Sequence, residues 1–340
     1  MNNYSYHEHY MSRCIEVAKK GKGITYPNPF VGCIIVHNGV IISEAFSSKH
    51  GGNHAEVNAI NNVKNKSLLK NSTLYVTLEP CSHFGKTPPC CNTINSFQIP
   101  KVIIGTLDKS EKVNGKGVSF LKNNKIDVIV GVLENECKEL HKNFLHFNKN
   151  KRPYIILKWA QSKDGFISPK NKLKSKPFWI SNAKSRQIVH KWRSEEHGIL
   201  IGYNTVIKDN PILNVRDYKG VNPTRIIIDK ENSLNKNYKV FNTEANTLVI
   251  SKKEIDFSKI ISNEICDFLY QKKIQSVIVE GGKKTLDDFI NNNNWDEARI
   301  FKSTVIIKEG TKAPKINGEI IFKENVDSDT IIFMKPSQSL

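Results

Sequence analysis

Two short segments of the chain, about two dozen residues apart, carry side chains that could bind a metal ion. The first contains His54 and Glu56, and the second contains Cys81 and Cys90. A catalytic zinc ion takes three protein ligands and keeps a fourth position open for water. One imidazole and two thiolates would fill the three positions, and the carboxylate would remain unbound. The pattern therefore predicts a hydrolytic zinc site with His54, Cys81 and Cys90 as ligands.

The unbound carboxylate of Glu56 is the candidate proton carrier of this site. Bound zinc acidifies water, and Glu56 could accept the proton that the water releases. Attack on a ring carbon bearing an amino group would follow, and Glu56 would protonate the ring nitrogen and the departing ammonia. The order His-x-Glu, then Pro-Cys and a second Cys, is typical of zinc deaminases. If Glu56 were a fourth ligand instead, the site would be structural.

Alternating helices and strands are predicted around these residues. The predicted strands cover 31–36, 40–46, 73–78, 101–105 and 126–131, and the predicted helices cover 8–21, 89–97 and 133–147, with a further one before 126. Another helix that begins near His54 would place Glu56 on its first turn. The strand over 73–78 would deliver Cys81, and the Gly/Pro-rich segment after it could fold back to bring Cys90 to the metal.

The second half of the chain is predicted to be a separate α/β domain. A polar segment over 148–153 that ends in Pro marks the boundary. Strands are predicted at 154–160, 198–202, 224–228, 247–250, 275–279, near 298–307 and at 330–335. Helices are predicted over about 181–194 and after Gly281-Gly282, and loops over 169–176 and 229–246.

The composition favours a protein that acts on a small molecule. A chain of 340 residues suits two ordinary domains, and it contains no apolar run long enough to cross a membrane. The formal net charge of +18 is carried by 44 Lys and only 7 Arg. Because specific phosphate and guanine recognition favours Arg, we expect no nucleic-acid partner. A basic field would instead attract a small phosphorylated substrate.

The cysteines and the first residues of the chain favour a cytoplasmic protein. The seven cysteines do not have the spacing of a disulfide framework, and the first residues do not form a secretory signal. Cys91 adjoins a proposed ligand and could compete for the metal. The cysteines outside the zinc site are expected to act as small buried apolar residues.

The segment between the two ligand cysteines narrows the choice among deaminases. Nucleic-acid-editing deaminases have two residues there, whereas this chain has eight. Residues 81–90 (CSHFGKTPPC) and 27–32 (PNPFVG) resemble the motifs of the bifunctional riboflavin-biosynthesis deaminase/reductases, and the resemblance covers nearly the whole chain. It implies substrate contacts by three residues: Asn28, His83 and Lys86. An amide suits ring edges and an ammonium suits a phosphate.

The second half resembles the reductase of the same family, whose fold is similar to that of dihydrofolate reductase. By itself, the Gly281-Gly282 turn between a strand and a helix could hold a phosphate or be a plain tight turn. The resemblance implies NADPH contacts by Ala160, Trp179, Thr205, Asp209, Gly281 and Gly282. It implies substrate contacts by Arg193, Leu213, Arg216 and Glu280. Two guanidinium groups would suit a ribose 5-phosphate.

The sequence therefore predicts a two-domain α/β enzyme of riboflavin biosynthesis. Residues 1–147 would form a cytidine-deaminase-like three-layer α/β/α domain, 148–153 a linker, and 154–340 a dihydrofolate-reductase-like α/β domain. With one zinc ion per chain, the first domain would deaminate 2,5-diamino-6-(5-phosphoribosylamino)pyrimidin-4-one. The second would reduce the ribosyl group of the product to ribityl with NADPH. A homo-oligomer without nucleic-acid or membrane partners is expected.

Three alternatives remain open at this level. The chain could be a nucleic-acid base deaminase with an accessory binding domain, a non-catalytic homologue with structural zinc, or an enzyme active in one half only. Ser47, where the family commonly has His, and Pro177, where it usually has Ser, keep the last alternative open. Ser175 could supply the hydroxyl that Pro177 lacks.

Overall fold

The two halves of the chain build separate β-sheets in the computed structural model, which describes residues 3–85, 88–110, 113–171 and 178–337. Contacts within the chain divide it into two units between Lys151 and Arg152. None of the described helices is both long and apolar enough to span a bilayer.

The first unit contains a five-stranded sheet in the order β2-β1-β3-β4-β5. Its strands are β1 (Gly32–His37), β2 (Val40–Phe46), β3 (Ser72–Leu78), β4 (Lys101–Thr106) and β5 (Asp127–Val130). Strand β1 runs antiparallel to β2 and β3, whereas β3, β4 and β5 are parallel. The carboxyl ends of the parallel strands therefore meet at one edge of the sheet, where polar groups from successive loops can converge.

Helices cover both faces of this sheet. They are α1 (Asn3–Lys19), α2 (Ala55–Asn62), α3 (Cys90–Ser96), α4 (Lys116–Asn123), α5 (Glu134–Leu140) and α6 (Lys142–Asn150). Apolar residues of α2, α3 and α4 form one buried cluster with the sheet, and those of α1 and α5 form another. Two cores on opposite faces of a central sheet make the three-layer α/β/α arrangement that the sequence predicted.

Two helix predictions in the first unit need correction. Helix α1 begins at Asn3, earlier than the predicted residue 8. The single helix predicted over 133–147 is two helices, because the backbone leaves helical geometry at His141. The His141 ring is buried and its Nε2 lies 3.0 Å from Thr77 Oγ1 on β3. Helix α6 continues to Asn150, so the first residues of the predicted linker are helical.

The second unit contains an eight-stranded sheet in the order β10-β9-β8-β11-β6-β12-β15-β14. Its strands are β6 (Tyr154–Gln161), β8 (Gly198–Gly202), β9 (Thr224–Ile228), β10 (Thr247–Ile250), β11 (Ser276–Val279), β12 (Glu297–Lys302), β14 (Glu319–Val326) and β15 (Asp329–Lys335). The first six strands in this order, from β10 through β12, are parallel to one another. Strands β15 and β14 complete one edge of the sheet with antiparallel pairing. A small separate sheet pairs β7 (Phe166–Pro169) with β13 (Gly310–Lys312).

The helices of the second unit are α7 (Ala183–Glu195), α8 (Tyr203–Asp209), α9 (Ile261–Gln271) and α10 (Lys283–Asn291). The sequence interpretation missed α8, α9 and the strands β7, β13 and β14. It also extended β12 beyond Lys302, where the strand ends. Most of the loop predicted over 169–176 lies outside the described residues. The loop predicted over 229–246 contains a short 3-10 helix, Lys239–Phe241.

Candidate active sites

The three predicted metal ligands lie together at the carboxyl edge of β3. The Nδ1 atom of His54 lies 3.5 Å from the Cys81 sulfur and 3.3 Å from the Cys90 sulfur. Among the described residues, these three form the one group of His, Cys, Asp or Glu side chains whose ligand atoms all lie within 4.8 Å of one another. The structure thus brings together an imidazole nitrogen and two sulfurs that are 27 and 36 residues away from it in the chain.

Local structure explains why each ligand points to the same place. His54 immediately precedes α2, and its carbonyl accepts the first helical hydrogen bond from Asn58. Cys81 follows the end of β3, and Cys90 is the first residue of α3. The backbone N–H of Cys90 donates to the Cys81 sulfur at 3.4 Å, and that of Cys91 donates to the Cys81 carbonyl at 3.2 Å. The start of α3 therefore fixes both cysteines relative to each other.

The spacing of the donor atoms fits a tetrahedral zinc ion. Zinc–sulfur bonds of about 2.3 Å and zinc–nitrogen bonds of about 2.0–2.1 Å imply a separation of about 3.5 Å between sulfur and nitrogen ligands. The separations of 3.5 and 3.3 Å agree with this value. Nitrogen and thiolate sulfur are also the donor types that zinc accepts in catalytic sites.

The three side chains of the metal group have shifted pKa values, because they interact closely with one another. A hydrogen bond from Cys90, together with one from His54, lowers the pKa of Cys81 to about 4. The hydrogen bond with Cys81 raises the pKa of His54 to about 9, although burial opposes it. Interaction with the Cys81 thiolate also raises the pKa of Cys90. Metal binding would displace the protons of His54 and Cys90, so its affinity must depend on pH.

Glu56 lies beside the metal group without belonging to it. Its side chain is buried on the first turn of α2, with 3% of the residue exposed. Burial raises the pKa of this carboxyl group, and the charge of His54 opposes the rise. An ionisable group held next to a metal site but outside its ligand set can carry protons.

Cys91 points away from the metal group, so the sequence-based concern that it could compete is not supported by the geometry. Its sulfur lies 3.4 Å from the Pro80 carbonyl and 3.6 Å from the Gly117 carbonyl. The side chain is fully buried in the core between the sheet and α2, α3 and α4.

Two further residues predicted for this site, Asn28 and His83, lie in loops at the same end of the sheet. Asn28 is half-buried in a turn before β1, where its N–H donates to the Thr25 carbonyl at 2.9 Å. The antiparallel pairing of β1 with β3 places this turn at the end of β3 that leads to Cys81. His83 is exposed two residues after Cys81. Lys86 lies outside the described residues.

The sequence interpretation gave no role in the site to Asp108, which the structure places near the metal group. This carboxyl follows β4 and is buried, with 6% of the residue exposed. Burial raises its pKa, opposed by a hydrogen bond from the Ser110 N–H and by the charge of His83. Its position after the parallel strand next to β3 is the signal that could have identified it.

Ser47 has a structural contact in place of the histidine that is common in the family. Its hydroxyl oxygen accepts a hydrogen bond from the Val31 N–H at 3.2 Å, and its own N–H donates to the Val31 carbonyl at 3.0 Å. Ser47 therefore fixes the chain that enters β1. Pro177 and Ser175, the other departure considered, lie outside the described residues.

A large cavity of about 1130 Å³ opens in the second unit. Its lining includes most of the residues that the family resemblance assigned to cofactor and substrate, namely Ala160, Trp179, Arg193, Thr205, Asp209, Arg216, Glu280, Gly281 and Gly282. Leu213 is not among the lining residues. Its side chain is buried with Ile199 and Val206 in a cluster of its own.

A buried ion cluster forms one wall of this cavity. Two guanidinium nitrogens of Arg193 donate to Glu280, at 2.8 and 3.3 Å, and the Lys158 ammonium lies 3.7 Å from the same carboxylate. Burial alone would raise the pKa of Glu280, but the charges of Arg193 and Lys158 lower it to about 2. The sequence interpretation missed Lys158. A lysine inside the otherwise apolar strand β6 was the available signal.

The turn before α10 approaches α8 closely. The N–H of Gly282 donates to the Thr205 hydroxyl at 3.1 Å. A Cβ atom on Gly281 would lie 2.9 Å from the Cβ of Thr285, closer than ordinary packing allows. Gly281 therefore lets the end of β11 approach the first turn of α10 closely, and the turn leaves backbone accessible to a phosphate group.

The comparisons with known proteins cover both halves of the chain. Residues 4–106 match the family model of the cytidine and deoxycytidylate deaminase zinc-binding region, and residues 153–322 match that of the RibD C-terminal domain. The riboflavin biosynthesis protein RibD of Aquifex aeolicus is 38% identical over 353 residues, which cover 96% of this chain and 98% of the relative. That of Bacillus amyloliquefaciens is 35% identical, with coverage of 92% and 88%.

Solved structures agree with these matches. A diaminohydroxyphosphoribosylaminopyrimidine deaminase/5-amino-6-(5-phosphoribosylamino)uracil reductase from Thermotoga maritima superposes with a TM-score of 0.89 at 37% identity, covering 99% of this chain and 100% of that one. A RibD structure from Acinetobacter baumannii gives a TM-score of 0.87 at 28% identity, covering 98% and 100%. The predicted two-domain α/β architecture, a cytidine-deaminase-like domain followed by a RibD-type reductase domain, is confirmed.

Proposed function

The chain belongs to the RibD family of riboflavin biosynthesis proteins, and on this premise we propose which of its residues carry out the two reactions. The enzyme is bifunctional: a zinc-dependent pyrimidine deaminase and an NADPH-dependent reductase. The grouping of one imidazole nitrogen with two sulfurs, beside a buried carboxylate outside the group, carries the proposal. The alternative of an accessory nucleic-acid-binding domain gains no support, since the second half matches a reductase.

In the deaminase, His54, Cys81 and Cys90 hold the ion and Glu56 moves the protons. Zinc, when bound, lowers the pKa of a coordinated water molecule. Glu56 passes one proton of the attacking water to the ring nitrogen, and it then passes the proton of the newly added hydroxyl group to the amino group, which leaves as ammonia. The burial of Glu56 supports this role, because a buried carboxyl exchanges protons with the substrate rather than with bulk solvent.

Substrate contacts in the deaminase are assigned to Asn28, His83 and Lys86. The amide of Asn28 can donate to and accept from a pyrimidine edge. The cationic and imidazole groups of the segment after Cys81 can bind the phosphate of a small phosphorylated pyrimidine. The location of the Asn28 turn and of His83 at the edge of the sheet where Cys81 lies supports this assignment.

In the reductase, the cofactor and the substrate share the cavity of the second unit. NADPH supplies the hydride. Ala160, Trp179, Thr205, Asp209, Gly281 and Gly282 would hold the cofactor, and Arg193, Leu213, Arg216 and Glu280 would orient the substrate. The cavity lining supports nine of these ten assignments. For Leu213, with its side chain in the core, any contact would come from the backbone.

Domain limits, assembly and location complete the proposal. We assign residues 1–147 to the deaminase, 148–153 to a linker and 154–340 to the reductase. The division of contacts between Lys151 and Arg152 supports a boundary within that linker. We further propose that the enzyme is a cytoplasmic homo-oligomer without a nucleic-acid partner.

Zinc analysis combined with a two-step assay tests this function. The purified protein should contain about one zinc per chain, release ammonia from the diaminopyrimidinone, and then oxidise NADPH. A chelator should abolish ammonia release but leave NADPH oxidation intact when the deaminated intermediate is supplied, because the reductase needs no metal. Ammonia release by metal-free protein, or NADPH oxidation that requires zinc, would contradict the assignment.

A further inference from the structure

We propose that Glu79 is a positioning residue of the deaminase, which locks the Cys81 segment and the Asp108 loop onto the start of α4. This inference rests on the deaminase function proposed above and extends it to a residue outside the metal group. Glu79 follows β3 directly and precedes Cys81 by two residues. Any displacement of Glu79 is therefore passed to a zinc ligand.

The carboxylate of Glu79 is buried and satisfied by backbone N–H groups. Only 4% of the residue is exposed. One oxygen accepts from Asp108 N at 3.3 Å and from Gly115 N at 3.1 Å, and the other accepts from Val118 N at 3.1 Å. These donors come from the loop after β4 and from the first turn of α4, so the carboxylate joins three segments of chain.

Glu79 also replaces a missing helix cap. The N-cap residue of α4 is Gly115, which has no side chain to accept from the N–H groups of the first turn. The Glu79 carboxylate accepts from two of the N–H groups at this end, and its negative charge is favourable beside a helix N-terminus. The position of α4 and that of the Cys81 segment are thereby coupled.

The contact between α4 and this segment leaves no free space. A Cβ atom on Gly117 would lie 2.1 Å from the Pro80 carbonyl oxygen and 3.1 Å from a Glu79 carboxylate oxygen. The Pro80 carbonyl also accepts from the Cys91 thiol. Helix α4 therefore packs directly on the peptide that precedes Cys81, and Glu79 holds the two together.

Replacement by glutamine tests the role of the carboxylate. Glu79→Gln keeps the size of the side chain, but its NH2 group cannot accept, so at least one backbone N–H loses its partner. We expect zinc affinity, measured by chelator competition, to fall about 10- to 100-fold. The kcat of deamination should fall by at least about tenfold, because supporting contacts of metal ligands affect activity by similar factors.

Controls within the same chain separate positioning from general stability. NADPH oxidation with supplied deaminated intermediate should stay at the wild-type rate. Ser119→Ala removes an exposed hydrogen bond from the Ser119 hydroxyl to the Gly115 carbonyl in α4 without touching the Cys81 segment, and it should retain wild-type zinc affinity. Wild-type zinc affinity and kcat in Glu79→Gln, or equal losses in Ser119→Ala, would overturn the proposal.

A second variant decides the question if Glu79→Gln leaves the first unit unfolded. Gly117→Ala retains the Glu79 carboxylate but places a methyl group too close to the Pro80 carbonyl oxygen. We expect this variant to bind zinc more weakly as well. Wild-type zinc affinity in Gly117→Ala would then overturn the proposal. If the wild-type protein itself released no ammonia, the proposed deaminase function would fail instead, so the two failures are distinguishable.

Discussion

At the residue scale, adjacent cysteines have different surroundings and different expected roles. The sulfur of Cys90 lies 3.3 Å from His54 Nδ1, whereas that of Cys91 faces two backbone carbonyls in the core. The chain direction at the start of α3 separates the two side chains, because successive residues of a helix point about 100° apart.

We predict that Cys90→Ser loses zinc and that Cys91→Ser keeps it. A serine at position 90 removes one of the three proposed ligands, and hydroxyl oxygen is a poor substitute for thiolate in a zinc site. A serine at position 91 can still donate to the Pro80 carbonyl. Metal content after gel filtration, measured by mass spectrometry, checks this. Equal zinc loss in both variants would show that Cys91 takes part in the site.

The ion cluster of the second unit predicts a pH-dependent stability. Relative to its ordinary pKa of 4.5, Glu280 has a pKa of about 2 in the folded protein. The folded state therefore favours the ionised form. The resulting stabilisation, on the order of 3 kcal/mol, is present above about pH 4.5 and is lost as the pH falls toward about 2.

Glu280→Gln should therefore lower the free energy of unfolding of the second unit at about pH 7. The loss includes the cost of leaving Arg193 and Lys158 without their counter-charge. The gap to the wild-type protein should narrow steadily below about pH 4.5, which urea titrations at several pH values can follow. A gap that stays constant or widens on acidification would contradict the role given to this carboxylate.

The residues proposed to take part in the chemistry were easier to predict from the sequence than the residues that position them. The proposed metal ligands and Glu56 could be predicted because zinc chemistry restricts both residue type and order along the chain. Asp108 and Lys158 carry weaker signals, namely a position just after a strand and a lysine inside an apolar strand, and Glu79 acts through contacts with segments distant in sequence. No local pattern marks the three backbone donors of Glu79, which lie 29 to 39 residues away.

At the element scale, the two glycines of the turn before α10 should differ in how well they tolerate replacement by alanine. A Cβ on Gly281 would lie 2.9 to 3.1 Å from three atoms of Thr285, while a Cβ on Gly282 would meet Thr205 Oγ1 at an ordinary 3.5 Å. Gly281→Ala should therefore displace the start of α10 and raise the KM for NADPH, and Gly282→Ala should have a smaller effect.

The KM for NADPH of both variants can be measured by steady-state kinetics of NADPH oxidation with the deaminated intermediate. The rate of ammonia release should be unaffected and serves as the reference. The methyl group on Gly281 would need a shift of a few tenths of an ångström at a backbone that approaches the cofactor, which we expect to cost at least about tenfold in KM. A larger effect at Gly282 than at Gly281 would show that the turn binds differently from the arrangement described here.

The elements that the sequence interpretation missed were missed for different reasons. Strand β14 is exposed along almost its whole length at the edge of the sheet, so it lacks the alternation of buried and exposed residues that marks a strand. Helix α8 has only seven residues, too few for a helical repeat of apolar residues to mark it in the sequence. Helix α9 was detectable, since Ile261, Ile265 and Leu269 recur at helical spacing.

At the scale of the whole molecule, the two units have independent sheets and cores. The metal group lies entirely in the first unit, and the large cavity lies entirely in the second. The two-domain organisation could be predicted because the polar segment 148–153 interrupts the alternation of apolar elements. The excess of lysine is spread over the chain and did not identify either site. A net positive charge indicates that anionic molecules are attracted, but it does not indicate which residues react with them.

The separation of the two chemistries can be tested with one substitution. Glu56→Gln replaces the proposed proton carrier with a neutral group of the same size and leaves all three proposed metal ligands in place. The variant should contain as much zinc as the wild-type protein and release ammonia at least about 100-fold more slowly, since general acid–base catalysis is worth about 10²- to 10⁴-fold. It should oxidise NADPH at the wild-type rate when given the deaminated intermediate. Undiminished ammonia release by zinc-loaded Glu56→Gln would contradict the account at its centre.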